Sequence, residues 1–193
     1  MSTINFVRRL WLFCLSLLLL AACTPIAPPP PQQLSAPIRN AMSAAPLSIA
    51  QNATILGWPT EAGGGMTVLR EGTNGWTCVP DDPSSPTNDP MCLDRMWVAW
   101  LEAYMTGSEP QFTSVGLAYM LQGGSGASSS DPTATAPPPG QEWLIVPPHM
   151  MIVSPQPFDQ TLFSTDPASG GPFVVWAGTP YEHLVIPVQD SSR

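Results

Sequence analysis

Two histidines are the side chains in this chain best suited to binding a metal ion. His149 and His183 each follow a proline-rich turn, at the start of an apolar stretch that we predict to be a strand. If both strands met at one edge of a sheet, Met150 or Met151 and Glu182 could complete a copper or zinc site. Neither histidine has a partner at ligand spacing, however, which favours a structural role with each ring hydrogen-bonded to a backbone carbonyl.

Three aspartates lie close together in one short segment and are candidate ligands for calcium. Asp81, Asp82 and Asp89, with Asn88, could supply oxygen ligands, of which Ca²⁺ needs about six to eight. Their spacing does not match an EF-hand loop. We therefore expect these carboxylates to form turns and caps, with Asp89 and Pro90 opening a helix.

No arrangement of residues points to catalysis. Gly123–Ala127 (GGSGA) resembles the Gly-x-Ser-x-Gly nucleophile elbow only in its residue types. A Ser- and Pro-rich stretch follows Ser125, where the motif requires a helix. No pair stands out among the 14 acidic residues, and the absence of lysine excludes a phosphate-binding loop of the Gly-Lys type. The sequence therefore predicts a protein that is not an enzyme and needs no cofactor.

Composition limits the classes of partner. The 193 residues carry a net charge of −8, from 6 arginines and 14 acidic residues. Loss of Arg8 and Arg9 with the N-terminal segment described below would leave four arginines against the same 14 acids, a net charge of −10. Such a chain opposes binding to nucleic acid and gains no attraction to anionic lipid.

The N-terminal segment predicts export. Arg8 and Arg9 precede an apolar run of 13 residues, Leu10–Ala22, which is too short for a helix that spans a bilayer with about 20 residues. This pattern is typical of a signal peptide, which we place at residues 1–22.

The end of that run resembles the lipobox of bacterial lipoproteins. Leu20-Ala21-Ala22-Cys23 combines a branched aliphatic residue, two small residues and a cysteine. The resemblance implies that Cys23 becomes the first mature residue and carries diacylglycerol and a further acyl chain such as palmitate. Each buried methylene contributes about 0.8 kcal/mol, so two or three chains anchor a protein firmly. The alternative is an ordinary signal peptide with an incidental cysteine.

We predict where such a lipoprotein would reside. Thr24, rather than aspartate, follows the cysteine. In Gram-negative lipoproteins this favours the outer membrane, facing the periplasm. We therefore expect the protein in the bacterial cell envelope, anchored by lipid.

The mature chain divides into a tether and one domain. Residues 23–46 comprise the acylated cysteine and a proline-rich tether, and residues 47–190 form a single α+β domain with a flexible insertion at 123–140. We expect one amphipathic helix, from Asp89 to Thr106, and a small, mostly antiparallel sheet. Its strands are predicted at 66–69, 76–79, 112–122, 143–146, 150–153, 173–176 and 183–188.

The cysteines predict one disulfide. Cys14 leaves with the signal peptide and Cys23 is the lipid site, so Cys78 and Cys92 remain as a pair. In an oxidising compartment they are expected to form a structural bond that closes a loop of about 15 residues. A redox-active pair is the alternative, but its usual Cys-x-x-Cys spacing is missing.

The domain is also similar to a set of exported bacterial proteins of uncharacterised function. The resemblance rests on residues 74–92, on Pro148-His149-Met150 and on Gly178–His183, and it implies no activity. We predict a lipoprotein with a non-catalytic binding or envelope-maintenance domain, whose partners are the bilayer through Cys23 and an envelope protein or glycan. An envelope copper- or zinc-binding protein using His149 and His183 is the alternative, and an envelope hydrolase the third.

Overall fold

A mixed eight-stranded sheet dominates the part of the chain that this computed structural model describes, residues 33–61 and 64–189. The predicted signal peptide, Cys23 and most of the tether lie outside the described residues. The strands are β1 Thr54–Gly57, β2 Thr67–Arg70, β3 Thr77–Val79, β4 Met91–Leu93, β5 Gly116–Met120, β6 Gly124–Gly126, β7 Leu144–Val146, β8 His149–Val153, β9 Phe173–Val175 and β10 His183–Pro187. The helices are α1 Ala36–Met42, α2 Leu47–Ala50 and α3 Arg95–Thr106, with a 3-10 turn at Pro167–Ser169.

The main sheet has the order β2-β1-β3-β4-β5-β8-β10-β9, and β6 pairs with β7 in a separate two-stranded sheet. Strands β1 and β3 run parallel, and the other pairs are antiparallel. The α+β prediction is therefore confirmed. None of the helices among the described residues is long and apolar enough to cross a bilayer.

Helix α3 is fixed at both ends by local chemistry. Asp94 is the N-cap, and its Oδ1 accepts hydrogen bonds from the amides of Met96 at 2.9 Å and Trp97 at 3.0 Å. Gly107 ends the helix in the left-handed conformation, with φ +67°, which glycine adopts without strain.

The predicted start of this helix at Asp89 and Pro90 is wrong. The residues between them and α3, Met91–Leu93, form strand β4 instead, which pairs with β3 on one side and β5 on the other. Hydrogen bonds from two neighbouring strands outweigh a favourable cap sequence, and Asp94 then starts the helix five residues later.

The two faces of the sheet are covered differently. Trp97 and Trp100 of α3 pack against one face, and the alanines of α1 and α2 cover the other, around the disulfide and Ile55. The predicted strand at 112–122 is shorter, Gly116–Met120, and buries Ala118 rather than the larger residues beside it.

The proline-rich tether ends earlier than predicted. Residues 36–46 belong to the folded unit, which begins at Leu34. Ala41 and Ala44 are completely buried, and the Ala44 carbonyl accepts a hydrogen bond from the Leu121 amide at 2.9 Å. Small side chains let the helix approach the sheet closely, a packing that composition alone did not reveal.

The stretch 123–140, predicted to be a flexible insertion, contacts the domain over its first half. Its first part forms β6, and aromatic side chains bind the backbone of the residues that follow, as far as Pro132. The Tyr104 hydroxyl donates to the Pro132 carbonyl at 2.9 Å, and the Trp176 indole N–H donates to the Ser128 carbonyl at 2.9 Å. The Trp176 amide also donates to the Ser129 carbonyl, at 2.8 Å.

The predicted disulfide is confirmed. Cys78 and Cys92 lie directly opposite each other on β3 and β4 and are completely buried. The carbonyl oxygen of Ala41 lies 3.7 Å from the Cys92 sulfur, so α1 packs directly on the bond.

Removing this disulfide should destabilise the domain. Because the bond closes a loop of 14 residues in sequence separation, the Cys78→Ser, Cys92→Ser double variant should lose about 3 kcal/mol of unfolding free energy. Urea unfolding of both proteins measures the difference. Reductant should lower the stability of the parent protein and leave that of the double variant unchanged. Equal stabilities of the parent and the double variant without reductant would contradict the assignment.

Candidate functional site

The two histidines lie on the face of the sheet that α3 covers, and both are nearly fully buried. The Nδ1 atom of His149 lies 2.7 Å from the Pro147 carbonyl oxygen, and that of His183 lies 3.0 Å from the Tyr181 carbonyl oxygen. Because a carbonyl can only accept, each ring carries its proton on Nδ1. This is the arrangement expected of structural histidines.

The sheet register keeps the two rings apart. His149 pairs with Pro187, which lies four residues beyond His183 on β10. At roughly 3.3 Å per residue, the two Cα atoms are about 13 Å apart along the strand direction. The register therefore places the two histidines at opposite ends of the β8–β10 pairing, which gives no support to a shared metal ion. Within residues 33–61 and 64–189, no three His, Cys, Asp or Glu side chains are grouped to hold a metal.

His183 belongs to an aromatic cluster, which consists of this ring with Trp97, Trp100, Tyr104, Trp176 and Tyr181. The imidazole meets the three indoles edge to face, with centroid distances of 5.2 to 5.5 Å. Trp100 stacks on Tyr104 and lies parallel to Trp176, at 11° and 4°. These rings pack against one another. Trp97 and Trp100 belong to the hydrophobic core, as the apolar face of an amphipathic helix should.

Burial keeps both histidines neutral. It lowers the pKa of His149 and of His183 to about 4, against the opposing effect of their bonds to backbone carbonyls. Electrostatic repulsion from His149 is a further and smaller cause that lowers the pKa of His183.

The three aspartates form a closed turn. Asp81 Oδ1 accepts from the Asp89 amide at 2.9 Å, and Asp89 Oδ1 accepts from the Asp82 amide at 3.0 Å. Burial raises the pKa of the Asp89 carboxyl, and the nearby Asp81 carboxylate adds to the rise. These oxygens bind the N–H groups of their own segment, as turn residues do, although Asp89 caps no helix.

Ser125 is not placed as a nucleophile. It lies in β6, which is followed by further irregular chain and then by its partner β7, not by the helix of a nucleophile elbow. Its hydroxyl is buried without a hydrogen-bond partner, so no base is positioned to take its proton.

An open cleft of about 890 Å³ lies along β7, away from the residues that the sequence singled out. Ile145 on β7 and Val188 just after β10 are 59% and 51% exposed at this cleft. The lining residues are Leu144, Ile145, Val146, Pro147, Asp166, Pro167, Ala168, Gly170, Gly171, Phe173, Pro187, Val188 and Gln189. Asp166 alone of these is charged.

Sequence reasoning missed this cleft. Its walls come from three separate segments, and none of them carries a motif. The signals available were the short apolar run Leu144–Val146 before a double proline and the Gly170-Gly171 pair. Neither signal says which surfaces meet.

Acid should destabilise the domain through the two histidines. Each histidine has a pKa near 6.5 in the unfolded chain and about 4 in the folded protein. The folded state therefore favours the neutral ring, and this contribution to stability is fully present above pH 6.5. Stability should fall as pH drops from 6.5 towards 4, by roughly 3 kcal/mol per histidine. Urea unfolding at several pH values measures this slope, which His149→Gln and His183→Gln should each reduce. Asp89 has a raised pKa in the folded protein, so its protonation should stabilise the folded state as the pH falls further.

Comparison with protein-family models, curated proteins and solved structures finds no match for this chain. We therefore infer function from the geometry of the cleft and of the side chains around it.

Proposed function

We propose that this protein is a lipid-anchored lipoprotein of the bacterial cell envelope, outer membrane favoured, whose domain acts by binding a partner without catalysis. The anchor rests on Leu20–Cys23 at the end of the apolar run. The observation that carries the binding role is the open cleft along β7, with exposed apolar side chains on its walls.

The tether would keep the domain near the lipid. The folded unit begins at Leu34, eleven residues after Cys23. A chain of this length spans at most about 40 Å when fully extended. A partner would therefore be met close to the membrane surface.

The chemistry of the cleft supports binding. Its volume falls within the range of roughly 300 to 1,000 Å³ that ligand sites occupy, and its walls combine apolar side chains with polar groups, among them the carboxylate of Asp166. The side chains that could do catalysis lie elsewhere. His149 and His183 are bonded to backbone carbonyls, and the Ser125 hydroxyl has no base beside it.

The metal-binding and hydrolase alternatives gain no support from geometry. The two histidines lie about 13 Å apart along the sheet. Ser125 lies in a strand rather than at an elbow.

Replacing the anchor cysteine tests the localisation. Cys23→Ser should abolish incorporation of radiolabelled palmitate and leave a protein that retains residues 1–22, because the lipoprotein peptidase acts only after lipid transfer. Gel mobility and labelling report both effects. Cys14→Ser is the matched control and should be labelled and cleaved like the parent. Normal labelling of the Cys23→Ser variant would contradict the anchor.

A photo-crosslinking residue placed in the cleft tests the binding role. Introduced at position 145 of the full chain in cells, it should yield a product of discrete mass that mass spectrometry identifies. Position 115 is the control, because Val115 is similarly exposed, 55% against 59% for Ile145, and lies outside the cleft. Identical products at both positions, or none at 145, would contradict binding in the cleft.

A further inference from the structure

We infer that the cleft takes an extended polypeptide segment as a third strand beside β7, and that this segment carries apolar side chains and a basic residue. The inference rests on the proposed function and names the class of partner. It follows from the edge of β7, the room opposite it, and the charge of the lining.

The cleft faces the backbone edge of β7. Four consecutive residues, 144–147, line it. Side chains of neighbouring residues in a strand point to opposite faces, so a surface that meets all four in succession meets the edge of the strand. Among the described residues β7 pairs with β6 alone, so no other described strand occupies that edge.

The pairing leaves the middle residue of β7 with unused hydrogen-bonding groups. Pro147 has no amide hydrogen, so the ladder bonds to β6 fall on Val146 and Leu144. Ile145 lies between them and directs its N–H and C=O away from β6, to the free edge. Among the described residues, no hydrogen bond outside the β6–β7 pair reaches either group.

The segment with Gly170 and Gly171 does not crowd the cleft. Both glycines line it, and a Cβ atom added at either position would meet no heavy atom within 4 Å. Adjacent strands need a spacing of about 4.8 Å.

Two strands end the main sheet, β2 on one side and β9 on the other, and the edge of β9 is covered. The Val174 amide donates to the Ser164 carbonyl at 2.8 Å, and the Trp176 amide donates to the Ser129 carbonyl at 2.8 Å. Covered edges resist unwanted pairing, whereas an open edge in a cleft is the geometry of strand addition.

The side chains define the chemistry of the segment. Ile145 and Val188 offer exposed apolar surface at the cleft, which favours apolar side chains in the added strand. Asp166 is the one charged residue among the described residues that line the cleft, and the whole chain carries a net charge of −8. Charge complementarity therefore selects a partner segment with arginine or lysine rather than an acidic one.

Labelled peptides test the inference on the processed lipoprotein in detergent micelles. The probe is fluorescein-Val-Thr-Val-Arg-Val-amide, followed by fluorescence anisotropy. It should bind about fivefold more tightly than the same peptide with glutamate for arginine, which corresponds to about 1 kcal/mol of exposed charge interaction. A peptide with proline for the central valine should not bind, because proline removes a ladder donor.

Two matched variants assign the charge preference. In the parent protein, the Asp166 carboxylate accepts a hydrogen bond from the Ala168 amide at 2.9 Å. Asp166→Asn keeps an oxygen for this bond but removes the charge, so it should abolish the preference for arginine. Asp159→Asn changes an acid in a similar turn outside the cleft, bonded to the Thr161 amide at 2.8 Å, and should keep the preference.

The opposite results would overturn the inference. Equal binding of the proline peptide excludes strand addition, equal binding of the glutamate peptide excludes the basic segment, and no binding of any peptide at about 1 mM excludes both. A crosslinked product at position 145 together with any of these results would leave the proposed binding role standing and reject only the part of the inference that the peptide result excludes.

Discussion

The carboxylate of Asp94 is the contact on which the arrangement of the domain depends. One oxygen caps α3, and the other accepts the Leu117 amide of β5 at 2.7 Å. Its own amide donates to the Leu117 carbonyl at 3.0 Å. A single side chain therefore ends β4, starts the helix and ties both to the next strand. The direction in which α3 crosses the sheet, and hence the position of its aromatic residues, follows from this junction.

From that position, α3 organises the irregular part of the chain. Three members of the aromatic cluster bind loop backbones through their polar atoms, whereas the indole N–H groups of Trp97 and Trp100 are buried without a partner among the described residues. Tyr104 binds the 128–132 segment, Tyr181 donates to the Ser108 carbonyl at 2.9 Å, and Trp176 holds Ser128. A chain with 25 prolines can thus remain ordered over long stretches without regular structure, because aromatic donors satisfy carbonyls that no ladder pairs.

The sequence predicted the features that depend on a local residue pattern or, for the disulfide, on the exclusion of the other two cysteines. The α+β class, the apolar stripe of α3 and the Cys78–Cys92 pair are of this kind.

The sequence did not predict features that depend on which surfaces meet. Asp89-Pro90 is a good helix start in isolation but is followed by a strand held from both sides, and 36–46 looks like tether because alanines give no apolar period that stands out. The cleft along β7 could not be predicted, since three distant segments form it. The same holds for the separation of His149 and His183, which the register alone decides.

The way α1 is packed has a mechanical consequence for a domain held by its N-terminal side. A pull on the chain from that direction reaches α1 first. The one side chain that this helix buries completely is the methyl group of Ala41, while Ile38 and Met42 are partly buried, so separation exposes little apolar surface. Immediately beneath them, the disulfide joins β3 to β4 covalently. Tension would therefore peel away α1 at low force while the crosslinked centre of the sheet, and the surfaces built on it, kept their shape.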